Sequence, residues 1–209
     1  MKKILVIGPH PDDFEFGCGG SLIKFSQKKF DITTYVATKG EAGADWKVRV
    51  KEQEKSAGLI GAKIIWGSFK DTQVSFNRDL IEEIESVINK IRPNLIIVNY
   101  HNDTHQDHVA VSKATITAAR HANNVIFYET PTSIDFSPNI FFDITENINL
   151  KIRLLKSHFS QLNKTRVENL SIIESAKSTA VFRGYQARVK YAEAFMAQRI
   201  LLNLICLEK

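Results

Sequence analysis

The chain has 209 residues, a formal net charge of +5 and a mean hydropathy of −0.16. With 44% hydrophobic and 24% charged residues it can bury a core, which excludes disorder as the dominant state, and its length fits a single domain over 1–209. The longest apolar runs, such as Leu95-Ile-Ile-Val98, are strand-sized, so no membrane span is expected.

In chain order, residues 3–8 form a short apolar run of Ile, Leu and Val, which predicts a first strand. The preceding Met-Lys-Lys looks like the start of an export signal. The apolar stretch is short, however, and Pro-His-Pro-Asp-Asp follows where a cleavage site would stand, so a soluble cytoplasmic protein is expected. A helix is expected over 18–29, opened by Gly-Cys-Gly-Gly, and a β-branched strand over 31–38. Asp45 and Gly61 read as start and stop of a helix over 47–60. A short strand over 63–66 follows. Asn77 can cap a helix that runs to about Arg92 and is ended by Pro93. Residues 95–100 read as a strand, 106–121 as a helix, 125–128 and 140–143 as strands. Residues 145–157 and 165–206 read as mostly helical. Alternating strands and helices predict an α/β fold in three layers, a mostly parallel sheet flanked by helices, with a helical C-terminal segment.

Charge is unevenly distributed. Residues 151–209 hold 11 Lys/Arg against 4 Asp/Glu, a net of +7, which leaves 17 against 19, or −2, for residues 1–150. The basic residues are spread out, without a dense block or a nucleic-acid-binding signature, so no nucleic-acid partner is expected. A solvated helix surface accounts for them, and an anionic substrate is the alternative. Cys18 and Cys206 are too far apart for a disulfide framework or a Cys-rich zinc module, and Cys18 reads as a packing residue.

Two segments are dense in metal-capable side chains. Gly8-Pro-His10-Pro-Asp12-Asp13 follows the first strand, and His105-Gln-Asp107-His108 follows the fourth. Loops after parallel strands open on one edge of the sheet, where ligands bind, so the two segments converge there. Glu41 and Asp71 follow the second and third strands and face the same edge. His10, Asp13 and one histidine of the second segment make a His2Asp set that suits a catalytic zinc with one open position. Iron(II) accepts the same ligands. Asp12 is then left beside the reacting water, the position of a general base.

At these residues the chain resembles the LmbE-like, or PIG-L, family of zinc-dependent N-acetylglucosaminyl deacetylases. Pro-His10-Pro-Asp12-Asp13-x-Glu15-x-Gly17-x-Gly19-Gly20 and His105-Gln-Asp107-His108 carry the resemblance. Thr38-Lys-Gly40-Glu41, Arg49-x-x-Glu52, and Arg183-Gly184 ahead of Tyr191-Ala-Glu193-Ala-Phe195 support it. It implies a Rossmann-like sheet and hydrolysis of the N-acetyl group of an amino sugar or its conjugate. By match, His10, Asp13 and His108 would be zinc ligands and Asp12 the base. His105 would stabilise the oxyanion, and Asp107 would orient His105. Arg49 and Asp71 would contact the sugar, with Glu41 and Arg183 as further substrate-binding candidates. A homo-oligomer is also implied. Two departures stand out: Phe14 where many members have Glu, and Gln106 where Pro is frequent. The other readings are a metal-dependent hydrolase of another bond, such as a phosphoester, and a non-catalytic metal-binding Rossmann-like protein.

Single residues carry weaker expectations. His101 is a rival ligand but fits a loop hydrogen bond better. His121 fits a helix C-terminus. His158 is open between lining the site and packing. Gly17, Gly19 and Gly20 lack the dinucleotide spacing and read as a tight turn with close helix packing.

Overall fold

The computed structural model describes residues 1–201. Five parallel strands come first in the chain: β1 (Lys3–Gly8), β2 (Asp31–Val36), β3 (Lys63–Trp66), β4 (Leu95–Asn99) and β5 (Val125–Tyr128). β6 (Ile140–Asp143) and β7 (Ala192–Arg199) complete a seven-stranded sheet in the order β3-β2-β1-β4-β5-β7-β6, with β7 antiparallel to both its neighbours. The helices are α1 (Asp13–Gln27), α2 (Trp46–Ile60), α3 (Arg78–Ile91), α4 (Gln106–Ala118), α5 (Ile148–Ser157) and α6 (Ile172–Ala187).

The strand interior is apolar on both faces, because side chains alternate while helices cover each side. Leu5, Ile7, Ile96 and Val98 face the layer of α3 and α4, where Leu80, Ile84, Val111 and Ala114 meet them. Ile4, Val6 and Ile97 face the other layer, with Phe14, Cys18 and Leu22 of α1 and Leu154 of α5. Cys18 is a buried core residue, as expected, while Cys206 lies outside the described residues.

The helix caps act as the sequence predicts. Asp45 accepts from the Lys47 amide, Gly61 ends α2 at φ 65°, and Asn77 accepts from the Leu80 amide. Three expectations are corrected. α1 begins at Asp13 and not at 18, and Gly17 and Gly20 sit inside it. They serve close packing, not a turn: a Cβ on Gly17 would lie 2.1 Å from the Tyr128 ring, and one on Gly20 2.7 Å from Ile144. α4 stops at Ala118, so His121 lies beyond it.

The largest correction concerns the C-terminal segment. Of the described part of 165–206, only Ile172–Ala187 is helical, and Ala192–Arg199 is a strand; 202–206 lie outside the described residues. Ala, Glu and Met favour helix, but tertiary pairing overrides them. Residues 192–195 are buried in succession between β5 and β6, so no alternation marks the strand. Among the described residues, no helix is long and apolar enough to cross a membrane.

The order of strands reverses between β1 and β4: the chain runs from β1 outward to β3, then returns to β4 on the other side of β1. The loops after β1 and β4 thus flank the crevice at the carboxyl edge of the sheet.

Candidate active site

The loop after β1 delivers three acidic or imidazole side chains within four residues. Asp12 carries the turn into α1 at φ 88°, a left-handed conformation that costs a non-glycine residue about 1–2 kcal/mol. Asp13 is the first helical residue, and its Oδ2 accepts from the His10 amide at 2.9 Å. The loop after β4 brings His105, the N-cap of α4, and then Asp107 and His108 in its first turn.

These residues converge. Asp13 Oδ2 lies 3.3 Å from His10 Nδ1, and Asp13 Oδ1 lies 3.4 Å from His108 Nε2. The far nitrogens of both rings rest on carboxylates. His10 Nε2 is 3.0 Å from Asp71 Oδ1 and 3.1 Å from Asp107 Oδ2, and His108 Nδ1 is 3.1 Å from Asp103 Oδ2. Histidines that ligate a metal through one nitrogen characteristically give the other to such a partner, which fixes ring and tautomer. Four aspartates, at 13, 71, 103 and 107, thus stand around two imidazoles, and the donor set fits a divalent cation held by His10, Asp13 and His108. Burial works against charge on His10, but its bonds to Asp107, Asp13 and Asp71 prevail and raise its pKa well above the imidazole norm.

His105 stands beside both rings, 4.7 Å from His10 and 4.8 Å from His108 between centroids. Ligand atoms of the three histidines lie within 4.8 Å of one another. Burial, with His10 and His108 nearby, holds His105 below the usual imidazole pKa, so it is neutral at pH 7. Its Nδ1 accepts from the Asp107 amide at 3.2 Å, which assigns the proton to Nε2 and makes that atom a donor.

The Asp107 carboxylate does not orient His105, contrary to expectation. It accepts from His10 Nε2, from the Thr72 amide at 2.7 Å and from the Val74 amide at 3.2 Å. Placed in the first turn of α4, it reaches across the crevice to the loop after β3; only its backbone N–H meets His105.

Asp12 is held from below. Arg49, buried in α2, donates from Nη1 to Asp12 Oδ2 at 3.3 Å and from Nη2 to the Pro11 carbonyl at 2.6 Å. Burial raises the Asp12 pKa, with Arg49 opposing it. The Asp12 side chain is still 26% exposed, enough to meet a water. A cavity of about 340 Å³ opens above these groups, lined by His10, Asp12, Asp13, Arg49, Asp71, His105 and His108, with Gly40, Ala42, Gly43, Thr72, Pro131, Thr132 and Gln161 as its other walls.

Two expected substrate contacts do not line it. The Glu41 carboxylate is turned to the Asp71 amide at 3.1 Å and laces the second and third loops together. Arg183, on α6, pairs with Glu129 through both guanidinium arms, at 2.7 and 2.6 Å, so its charge is neutralised away from the cavity. His101 packs on Tyr100 and Phe127 and is not a wall of the cavity either. His158 does reach the site: with Asp12 and Asp13 it lines a smaller adjoining chamber.

Asp103 and Thr130 were not singled out from the sequence. Thr130 Oγ1 donates to Asp103 Oδ2 at 2.7 Å and so braces the support of His108. The strand-end rule that pointed to Glu41 and Asp71, applied to β5, would have pointed to Thr130–Thr132.

The sequence profile described as GlcNAc-PI de-N-acetylase, PIG-L, matches residues 5–119. The chain is 36% identical over 169 residues to the uncharacterized deacetylase YaiS of Escherichia coli, covering 76% of this chain and 91% of the relative. It is 29% identical over 220 residues to the diacetylchitobiose deacetylase of Thermococcus kodakarensis, covering 92% and 82%. The crystal structure of N,N'-diacetylchitobiose deacetylase from Pyrococcus horikoshii, bound to an inhibitor, superposes with a TM-score of 0.85 at 25% identity, covering 98% of this chain and 86% of the other. The matched segment spans more than half of the chain and holds the loops after β1 to β4 that build the cavity, and on that ground this chain belongs to the PIG-L family of deacetylases.

Proposed function

We propose that this chain removes the N-acetyl group from an N-acetyl amino sugar or its conjugate, with zinc held by His10, Asp13 and His108 and Asp12 as general base. One observation carries the reading. Asp13 faces a nitrogen of each of two histidines whose other nitrogens rest on carboxylates, while Asp12 is bonded to neither histidine and faces the cavity. The family's description and the relatives' names support N-acetyl sugars as the substrate class.

A divalent ion bound there lowers the pKa of water and polarises a carbonyl. The residues of the chain divide the remaining work. Asp12 accepts the proton of the attacking water and hands it to the departing amine. Arg49 fixes the Asp12 carboxylate and its loop, so the base is positioned before substrate arrives. His105 directs its Nε2–H at the oxygen that gains charge, a kind of contact that contributes strongly in acyl transfer. Asp107 and Asp103 keep His10 and His108 in one tautomer. Arg49, Asp71 and Gln161 offer partners to sugar hydroxyls.

The test is acetate release from a panel of N-acetyl amino sugars, before and after chelation and zinc reconstitution. Release that disappears with the chelator and returns with zinc supports the proposal. Release unaffected by exhaustive chelation contradicts the metal-dependent mechanism, and absence of release from every sugar and sugar conjugate contradicts the substrate class.

A further inference from the structure

The main cavity has a neighbour. A chamber of about 140 Å³ shares Asp12 and Asp13 with it, as well as Pro131 and Gln161, and is otherwise differently built. Its floor is Phe16 and Leu155, which belong to a small apolar cluster between α1, α5 and α6, with Ile172 packed against them. Two basic side chains complete it. Lys164 is tied to the Gly43 carbonyl at the partition between the two spaces. His158 is 1% exposed; its Nε2 is paired with Glu15 Oε1 at 3.2 Å, and its Nδ1 has no hydrogen-bond partner.

An amide has two substituents. The 340 Å³ cavity is walled by hydroxyl-binding groups and suits the sugar side. The smaller chamber meets it at the proposed base, has an apolar floor and suits the carbon side. At about 30 Å³ for a water-sized group, 140 Å³ takes roughly four such groups, where the methyl of acetyl needs about one. His158 and Lys164, basic walls of the chamber, suit the carboxylate that hydrolysis releases. Resting on the deacylation reading above, we propose that this chamber is an acyl pocket and that it admits straight N-acyl chains longer than acetyl, to about butyryl or pentanoyl. The reaction balances as ordinary hydrolysis: water adds to the carbonyl carbon, the C–N bond breaks, and the water's proton ends on the amine. Pro131, Leu155, His158, Lys164 and Ile172 all lie beyond residue 119, outside the segment matched by the family profile, so chain length is read by the part of the molecule that the shared motifs do not fix.

Two measurements on zinc-loaded protein test this. The first is calorimetric binding of acetate, propionate, butyrate and hexanoate. Affinity is expected to rise about fourfold per methylene up to butyrate and then level off. Ile172→Trp should flatten the rise, Ile172→Ala should carry it to longer chains, and Val181→Trp, on the exposed side of α6, should leave it in place. The second is cleavage of N-acetyl- and N-butyryl-glucosamine, with kcat/KM expected within about tenfold of each other and the butyryl rate falling selectively, by tenfold or more, in Ile172→Trp. Affinity independent of chain length, or a rise unchanged by both Ile172 variants, overturns the acyl pocket. Cleavage of the acetyl sugar without the butyryl sugar overturns it and leaves the deacetylase reading standing. Failure to cleave either sugar, with affinity still rising with chain length, removes the reading on which the pocket rests.

Discussion

The parallel part of the sheet and the antiparallel part added after β5 use their charged residues in opposite ways. At the carboxyl edge of β1–β4 the charges face one another across an open cavity: Asp12, Asp13, Asp71, three histidines and Arg49 line it, with Asp103 and Asp107 buried behind the histidines. In the C-terminal part, charges are used as fasteners. Lys151 of α5 pairs with Glu193 of β7 in a fully buried contact, and Glu193 also accepts from the Gly20 and Ser21 amides of α1 at 2.7 Å each. Arg183 of α6 grips Glu129, two residues before Pro131, which walls the cavity with Thr132. Chemistry needs charges left available to a ligand, while assembly needs them cancelled. The positive balance of the C-terminal segment is therefore not evidence for an anionic ligand where its cations already have partners.

Substitutions in the two parts should separate accordingly. The largest effect belongs to the open cluster: Asp12→Asn should keep its metal and its melting temperature while kcat falls by roughly 10²–10⁴. Full turnover in that variant would remove Asp12 as the base. Next comes the buried fastener. Lys151→Met leaves the Glu193 charge unpaired and should cost about 3–5 kcal/mol in denaturant unfolding, with the Lys151→Met/Glu193→Gln double variant recovering part of it. A single variant as stable as the parent would show that the pair does not hold β7 to α5. Asp103→Asn should weaken metal affinity about 10–100-fold by loosening His108, read by competition with a chromogenic chelator. An unchanged affinity would mean that Asp103 has no hold on the ligand. The smallest effect on the site is expected at Arg183→Gln, which should cost about 1.5–3 kcal/mol of stability with metal content unchanged. Loss of metal there would break the division between the two parts.

That division also explains what could be read from the sequence. The parallel strands, the caps at Asp45 and Asn77, and the stop at Gly61 announce themselves through local composition, and the structure has them there. His10, Asp12, Asp13, His105 and His108 were legible because strand-end loops share one edge and the residues come in two tight clusters. β7 was not legible, because an interior strand buried on both faces carries no alternation and its Ala, Glu and Met read as helix. The start of α1 was missed because glycines that admit Tyr128 and Ile144 look like helix breakers in one dimension. Arg183 looked like a substrate contact since Glu129 stands 54 residues away, and Asp107 looked like the partner of His105 because it is next but one in sequence, while its carboxylate bonds His10 and the loop after β3. Pairings of this kind are fixed by the packed fold, and nothing in local sequence records them.

The most direct measurement is the metal content of the wild-type chain beside His108→Ala, both purified without oxygen and reconstituted with zinc. A single ion per chain in the wild type and near-complete loss in the variant, with the fold intact by circular dichroism, is the predicted result. Stoichiometric metal in folded His108→Ala would contradict the assignment of His10, Asp13 and His108 as the ligands and hand the position of His108 to His105, whose ligand atom lies within 4.8 Å of both other histidines.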